Sequence, residues 1–164
     1  MTDTTCDLLD THPELGCCLL PLRSFGGRRA FSGTIHTVSC FEDNVVMHDA
    51  LSEAGDGRVL VVDGHGSRAI ALIGDRVAAL AAANGWAGAI INGAVRDAEA
   101  LARIDIGILA LSAVPRRARK SGVGVAGVPV SFGQATFEPG GTVWCDSDGI
   151  VVEPPTAAAH RPSA

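Results

Sequence analysis

The chain has 164 residues and a net charge of −5, with 47% apolar, 19% charged and only 4% aromatic residues. That length is enough for one domain with a real core, and the low charged fraction excludes a disordered chain. The acidic balance argues against a nucleic-acid binder, because phosphate neutralisation needs a basic surface.

In chain order, the segment before Phe31 reads as irregular, apart from a short helix over Thr5 to Asp10 and a turn at Gly26-Gly27. Phe31 to Cys40 alternates apolar and polar side chains, the period of a half-buried strand. Val45, Met47 and Leu51 set a helix over Asn44 to Ala54, stopped by Gly55-Asp56-Gly57. Arg58 to Asp63 is a nearly continuous Val/Leu run, the pattern of a parallel strand buried on both faces. Gly64-His65-Gly66-Ser67 follows as a loop whose glycines allow close backbone approach.

Ala69 to Ile73 is a short strand, and Gly74-Asp75 opens a helix that runs to about Ala83. Trp86 to Asn92 is a strand, Asp97 to about Arg103 a helix, and Ile106 to Leu111 a further strand. A polar loop spans Pro115 to Gly124. Val128 to Phe132, Thr142 to Cys145 and Gly149 to Val152 then form final strands between Gly, Pro and Asp turns. Residues 1–153 are expected to form one domain, and the Pro- and Ala-rich residues 154–164 a disordered tail. Alternating elements in the middle and clustered strands at the end predict an α/β sandwich with a central mixed sheet.

Val77 to Val95 carries no charge and is long enough to raise the possibility of a membrane span. Asn84-Gly85 divides it into an Ala-rich and an Ile-rich half, so it reads as a buried helix and a buried strand, and no membrane association is expected. Cys6, Cys17, Cys18, Cys40 and Cys145 show no metal-binding spacing, and the acidic N-terminus carries no leader pattern. Reduced thiols and a cytoplasmic location are therefore expected.

The pattern richest in chemistry is Asp75, twenty intervening residues, then the pair Arg96-Asp97. Both halves fall where a strand hands over to a helix. Free N–H groups over Gly74, Asp75, Arg76 and Val77 at a helix start suit a substrate carboxylate. Arg96 supplies a planar fork for a carboxylate, and Asp97 an oxygen ligand for a hard cation. The pair thus describes a site for a small anion beside Mg²⁺ or Mn²⁺. The alternative for the same pair is a helix cap or a surface ion pair.

The remaining polar clusters offer less. Gly64-His65-Gly66 has Ala69 where a dinucleotide loop would place its third glycine, and Ser67 lacks a GxSxG setting. His65 reads as a solvated turn residue, and Asp146-Ser147-Asp148-Gly149 as a tight turn. Glu99 suits a helix start, and Arg116-Arg117-Ala118-Arg119-Lys120 reads as a solvated loop.

Val61-Val62-Asp63-Gly64-His65-Gly66-Ser67, Ile73-Gly74-Asp75 and Gly93-Ala94-Val95-Arg96-Asp97 resemble the family of the regulator of ribonuclease E activity A (RraA), which includes the class II 4-hydroxy-4-methyl-2-oxoglutarate aldolases. Phe25-Gly26-Gly27 and Phe31-Ser32-Gly33-Thr34-Ile35 upstream, with Ser131-Phe132-Gly133, Pro139-Gly140 and Asp148-Gly149-Ile150 downstream, are similar to it too. The resemblance implies a β/β/α swivelling-domain sandwich assembled as a ring-shaped homotrimer. It implies a divalent-metal-dependent carbon–carbon lyase that cleaves 4-hydroxy-4-methyl-2-oxoglutarate to two pyruvates, with oxaloacetate decarboxylation as a side activity through the same pyruvate enolate. Asp75, Arg96 and Asp97 would be the catalytic residues, with Asp97 on the metal, Arg96 on the substrate carboxylate and Asp75 orienting a water. The alternative implied by the family is a non-catalytic trimer that binds and inhibits a ribonuclease E-type enzyme.

Overall fold

The computed structural model describes residues 3–157; residues 154–157 form neither helix nor strand, and the rest of the expected tail lies outside the described residues. The chain begins with α1 (Thr5–Thr11), β1 (Gly16–Cys18), β2 (Arg23–Ser24), β3 (Phe31–Cys40) and α2 (Val45–Ser52). Next come β4 (Val59–Asp63), β5 (Ala71–Ile73), α3 (Asp75–Ala83), β6 (Gly88–Val95) and α4 (Ala98–Leu101). The C-terminal part is strands alone: β7 (Gly107–Ala113), β8 (Gly124–Ala126), β9 (Val130–Phe132), β10 (Ala135–Phe137), β11 (Thr142–Cys145) and β12 (Ile150–Glu153).

These elements bear out the α/β sandwich with a central mixed sheet. The main sheet runs β1-β12-β11-β3-β4-β6-β7-β2. Its centre, β3-β4-β6-β7, is parallel, while β11, β12 and β1 on one side and β2 on the other are antiparallel. The period-2 alternation of side chains divides the core. Leu60, Val62, Ala89, Ile91, Ile108 and Ala110 face the helices. Val59, Val61, Ile90 and Leu109 face the other way, onto Phe132 and Phe137 of the separate β9–β10 hairpin and onto Val143, Ile150 and Val152. The layers are therefore β, β and α.

Several sequence expectations need correction. The N-terminal segment holds two short strands, β1 and β2, that no local pattern announces. The final segment holds β8 to β12 instead of three strands, and the helix after Asp97 spans only Ala98–Leu101. β6 continues past Asn92 because β5 and β7 supply partners there, with Ala71 opposite Ala94 and Ser112 opposite Ala94 on the other side. No helix among the described residues is long and apolar enough to cross a membrane.

This topology fixes where a site can form. β5 and β6 end side by side, Ile73 opposite Val95. α3 starts directly after β5, and Arg96-Asp97 directly after β6. The crevice at the carboxyl ends of parallel strands is the usual ligand position in α/β sheets.

Candidate functional site

A cleft of about 390 Å³ opens at that crevice, lined by the start of α3, by Arg96 and Asp97, and by Arg117 and Lys120 from the loop before β8. The structure brings together all the residues expected there: Gly74, Asp75, Arg76, Val77, Arg96 and Asp97. The Arg96 N–H donates to the Ile73 carbonyl at 2.9 Å, which ties the Arg-Asp pair to the strand before α3. Asp97 Oδ2 accepts the Asp75 N–H at 3.3 Å and lies 3.4 Å from Arg96 Nε. The Asp97 carboxylate thus sits at the N-terminal end of α3 beside a guanidinium.

Gly74 makes this packing possible. A Cβ there would lie 2.6 Å from Asp97 Oδ2 and 3.0 Å from Arg96 Cγ. Its φ of −131° and ψ of −170° are open to any residue, so the constraint is space and not backbone.

The backbone of Asp97 is unusual for a residue that opens a helix. Asp97 occupies the N-cap position of α4 with φ 58° and ψ 43°, left-handed, and makes no side-chain cap bond. An N-cap Asp normally accepts from its own helix in an extended conformation. Here the carboxylate instead accepts the first N–H of the neighbouring helix α3, so it does not cap α4. Arg96 and Asp97 are also only 29% and 33% exposed at their side chains, so the pair is not a free surface contact.

One expectation about the helix start changes. The Asp75 N–H is taken by Asp97, and the Arg76 N–H donates to Asp75 Oδ1 at 2.8 Å. Protein carboxylates therefore stand where a substrate carboxylate was expected, and a ligand would have to displace the Asp75 side chain to reach the Arg76 N–H.

Sequence reasoning missed Arg117 and Lys120. Their side chains are exposed, but the loop is tied down: the Ala71 N–H donates to the Arg116 carbonyl at 2.8 Å and the Arg119 N–H to the Glu42 carbonyl at 2.9 Å. Asp43, 2% exposed, accepts N–H bonds from Val45 at 3.1 Å, from Ser121, and from Gly122 at 3.1 Å. Burial pushes its carboxyl pKa up, but the Val45, Ser121 and Gly122 N–H groups outweigh this and hold it below the ordinary value. The only local hint was an Asp two residues before Val45, a position that also reads as an ordinary turn.

The other candidates fall outside the cleft. His65 Nε2 lies 3.1 Å from Ser39 Oγ, and the His65 backbone N–H donates to Asp63 Oδ1 at 2.9 Å. Asp146 accepts the Asp148 and Gly149 N–H groups, the expected tight turn, and also the Thr5 N–H and hydroxyl. Glu99 lies in the first turn of α4. Burial raises the Cys40 thiol pKa to about 11 and that of Cys145 well above its ordinary value, so both stay protonated packing residues. All five cysteines are free. Among the described residues, no group of three or more His, Cys, Asp or Glu side chains is placed to hold a metal ion.

The fold and cleft together define a class: a β/β/α sandwich whose parallel strands end in a polar crevice. The chain belongs to the RraA-like family, described as Aldolase/RraA, whose profile matches residues 5–152. A relative from Xanthomonas campestris pv. campestris (strain B100), named "Putative 4-hydroxy-4-methyl-2-oxoglutarate aldolase", is 51% identical over 152 residues, covering 93% of this chain and 92% of its own. A solved structure named S-adenosylmethionine: 2-dimethylmenaquinone methyltransferase, from Geobacillus kaustophilus HTA426, is 44% identical with a TM-score of 0.92, covering 97% of this chain and 99% of its own. The RNA-processing inhibitor RraA from Thermus thermophilis is 40% identical with a TM-score of 0.92, covering 98% of each chain. Three names of different kinds on one fold mean that function has to be argued from the cleft.

Proposed function

We propose that this chain is a divalent-metal-dependent lyase that cleaves 4-hydroxy-4-methyl-2-oxoglutarate to two pyruvates and, as a side activity, decarboxylates oxaloacetate. The observation that carries the reading is the Asp97 carboxylate, turned away from its own helix into a cleft shared with Arg96 and Asp75. The aldolase name of the Xanthomonas relative supports the same chemistry.

A donor set of one carboxylate fits Mg²⁺, which keeps several waters and commonly binds through one or two carboxylates plus substrate oxygens. Asp97 would hold the cation, which when bound would polarise the C2 carbonyl as a Lewis acid, worth several kcal/mol. Arg96 clamps the carboxylate of the pyruvyl half and offsets charge that develops on the C2 oxygen. A water oriented by Asp75 takes the proton from the C4 hydroxyl. The C3–C4 bond then breaks, its electron pair passing to the pyruvate enolate, while C4 becomes the carbonyl of the first pyruvate. The same water returns a proton to C3 and completes the second pyruvate. With oxaloacetate, loss of the β-carboxylate as CO₂ leaves the same enolate. In this reading the protein is a cytoplasmic homotrimer, a state that light scattering tests directly.

The test is pyruvate release from each substrate with Mg²⁺ or Mn²⁺ and again with EDTA. Metal-dependent turnover, with most of it lost in Asp97→Ala while the fold persists, is the expected result. Turnover no higher than that of free metal overturns the reading. The likeness to the Thermus RNA-processing inhibitor favours a second reading, a trimer that binds a ribonuclease E-type enzyme. Tight, metal-independent binding to such a partner without keto-acid turnover would establish it.

A further inference from the structure

The chain is acidic overall, yet its cleft gathers cations. Arg76, Arg96, Arg117 and Lys120 face Asp75 and Asp97 there, four positive charges against two negative, a local excess of two. Two of the four sit on a segment with little reason of its own to be ordered. Arg116 to Lys120 carries four cations in five residues with exposed side chains, and such a run repels itself into open, solvated conformations.

Its order is imposed from outside by Glu42, Asp43 and Asn44. The Glu42 carbonyl accepts the Arg119 N–H, and the Asn44 N–H donates to the Arg119 carbonyl at 3.3 Å. The buried Asp43 carboxylate takes the Ser121 and Gly122 N–H groups directly after Lys120. Asn44 Nδ2 donates to the Leu72 carbonyl at 3.0 Å, which joins the same clasp to β5. At the other end, the bond from Ala71 to Arg116 fixes the segment to β5 two residues before Ile73, which Gly74 follows. Both ends are thus referenced to the strand that leads into α3 and the cleft. Holding like charges together in this way is unfavourable until an anion binds between them, and then the pre-ordered cations lose less entropy on binding.

We propose that Arg117 and Lys120 form a second anion anchor in the cleft, which takes the distal carboxylate of a dicarboxylate substrate, and that Asp43 is the positioning residue that holds this anchor over the site. Arg96 takes the near carboxylate, so a diacid engages both ends of the cleft and a monoacid only one. The lyase reading supplies the particular keto diacid; the anchor itself requires only that the cleft bind one.

The experiment uses the full chain with Mg²⁺ and two probes, 2-oxoglutarate and pyruvate. 2-Oxoglutarate is a diacid without the C4 hydroxyl that cleavage needs. Dissociation constants are measured by calorimetry for wild type, Arg117→Ala, Lys120→Ala and Asp43→Asn. Wild type should bind 2-oxoglutarate more tightly than pyruvate. Arg117→Ala, an exposed position that leaves the core intact, should weaken 2-oxoglutarate binding on the order of tenfold and pyruvate binding less than about twofold. Lys120→Ala should act in the same direction, and so should Asp43→Asn, although its side chain does not line the cleft. Equal losses for both probes, no loss for either, or no preference for the diacid in wild type overturns the anchor. Turnover is scored separately. Selective diacid binding without pyruvate release sinks the lyase reading and leaves the anchor; turnover with unselective variants does the reverse.

Discussion

At the scale of the residue, Asp97 combines two features that stability alone does not explain. Its left-handed backbone is unfavourable for a residue with a Cβ, although Asp and Asn tolerate it best, and its carboxylate forgoes the cap of its own helix. Asp97→Gly removes both the strain and the carboxylate. The melting temperature should stay level or rise, by about 2–4 °C for each kcal/mol relieved in a chain of this size. Pyruvate release should fall to the metal-only background in the same sample. A clear loss of stability would mean that Asp97 is placed for folding. Gly74→Ala tests the same packing from the opposite wall. The new Cβ cannot coexist with Asp97 Oδ2 and Arg96 Cγ where they stand, so the pair must shift by a substantial part of an ångström. The fold should survive, because the Gly74 backbone suits alanine, while turnover should drop about a hundredfold, the scale of loss for a misplaced catalytic group.

At the scale of the element, the loop before β8 and its clasp on Asp43 should respond to acid. The Asp43 carboxyl titrates below its ordinary value of 3.8 in the folded protein, so its contribution to stability is complete above that value and is lost as pH falls through the lower, folded one. The difference in melting temperature between wild type and Asp43→Asn should therefore be constant between about pH 5 and 7 and shrink below about pH 4. A gap that stays constant into acid would mean the carboxylate is not held ionised by its three N–H donors. The clasp also marks where the sequence stopped being legible. β3 and β11 have the bounds that local patterning predicts, Phe31–Cys40 and Thr142–Cys145, because a half-buried strand records its neighbours in its own alternation. β1 and β2 are three and two residues long, too short to carry a period, and form only because Val151 and Leu109 lie opposite Cys17 and Ser24. Gly74, Asp75, Arg96 and Asp97 were legible as two strand-to-helix turns, since each turn is local. Arg117 and Lys120 were not, because the carboxylate that fixes their loop lies 78 residues away from Ser121.

At the scale of the whole molecule, the sandwich separates the part that sets stability from the part that would bind ligand. β6 runs through both. At its start, Phe31 packs its ring against Gly88 and against Gly107 of β7, and a Cβ on either glycine would run into that ring. At its end come Arg96 and Asp97, about 26 Å further along at the usual rise of a strand. Gly107→Ala should therefore overpack the face beneath the β9–β10 hairpin and cost about 1–3 kcal/mol, seen as a lower urea midpoint with an unchanged slope. Turnover per folded molecule and the preference for a diacid over a monoacid should both match wild type, since nothing in the cleft touches that end of the strand. If activity falls in step with stability, the two ends of β6 are coupled through the sheet and the cleft depends on packing across all three layers. If only stability falls, the cleft is held by the short segments at the carboxyl ends of β5 and β6, with the rest of the sheet acting as a rigid support.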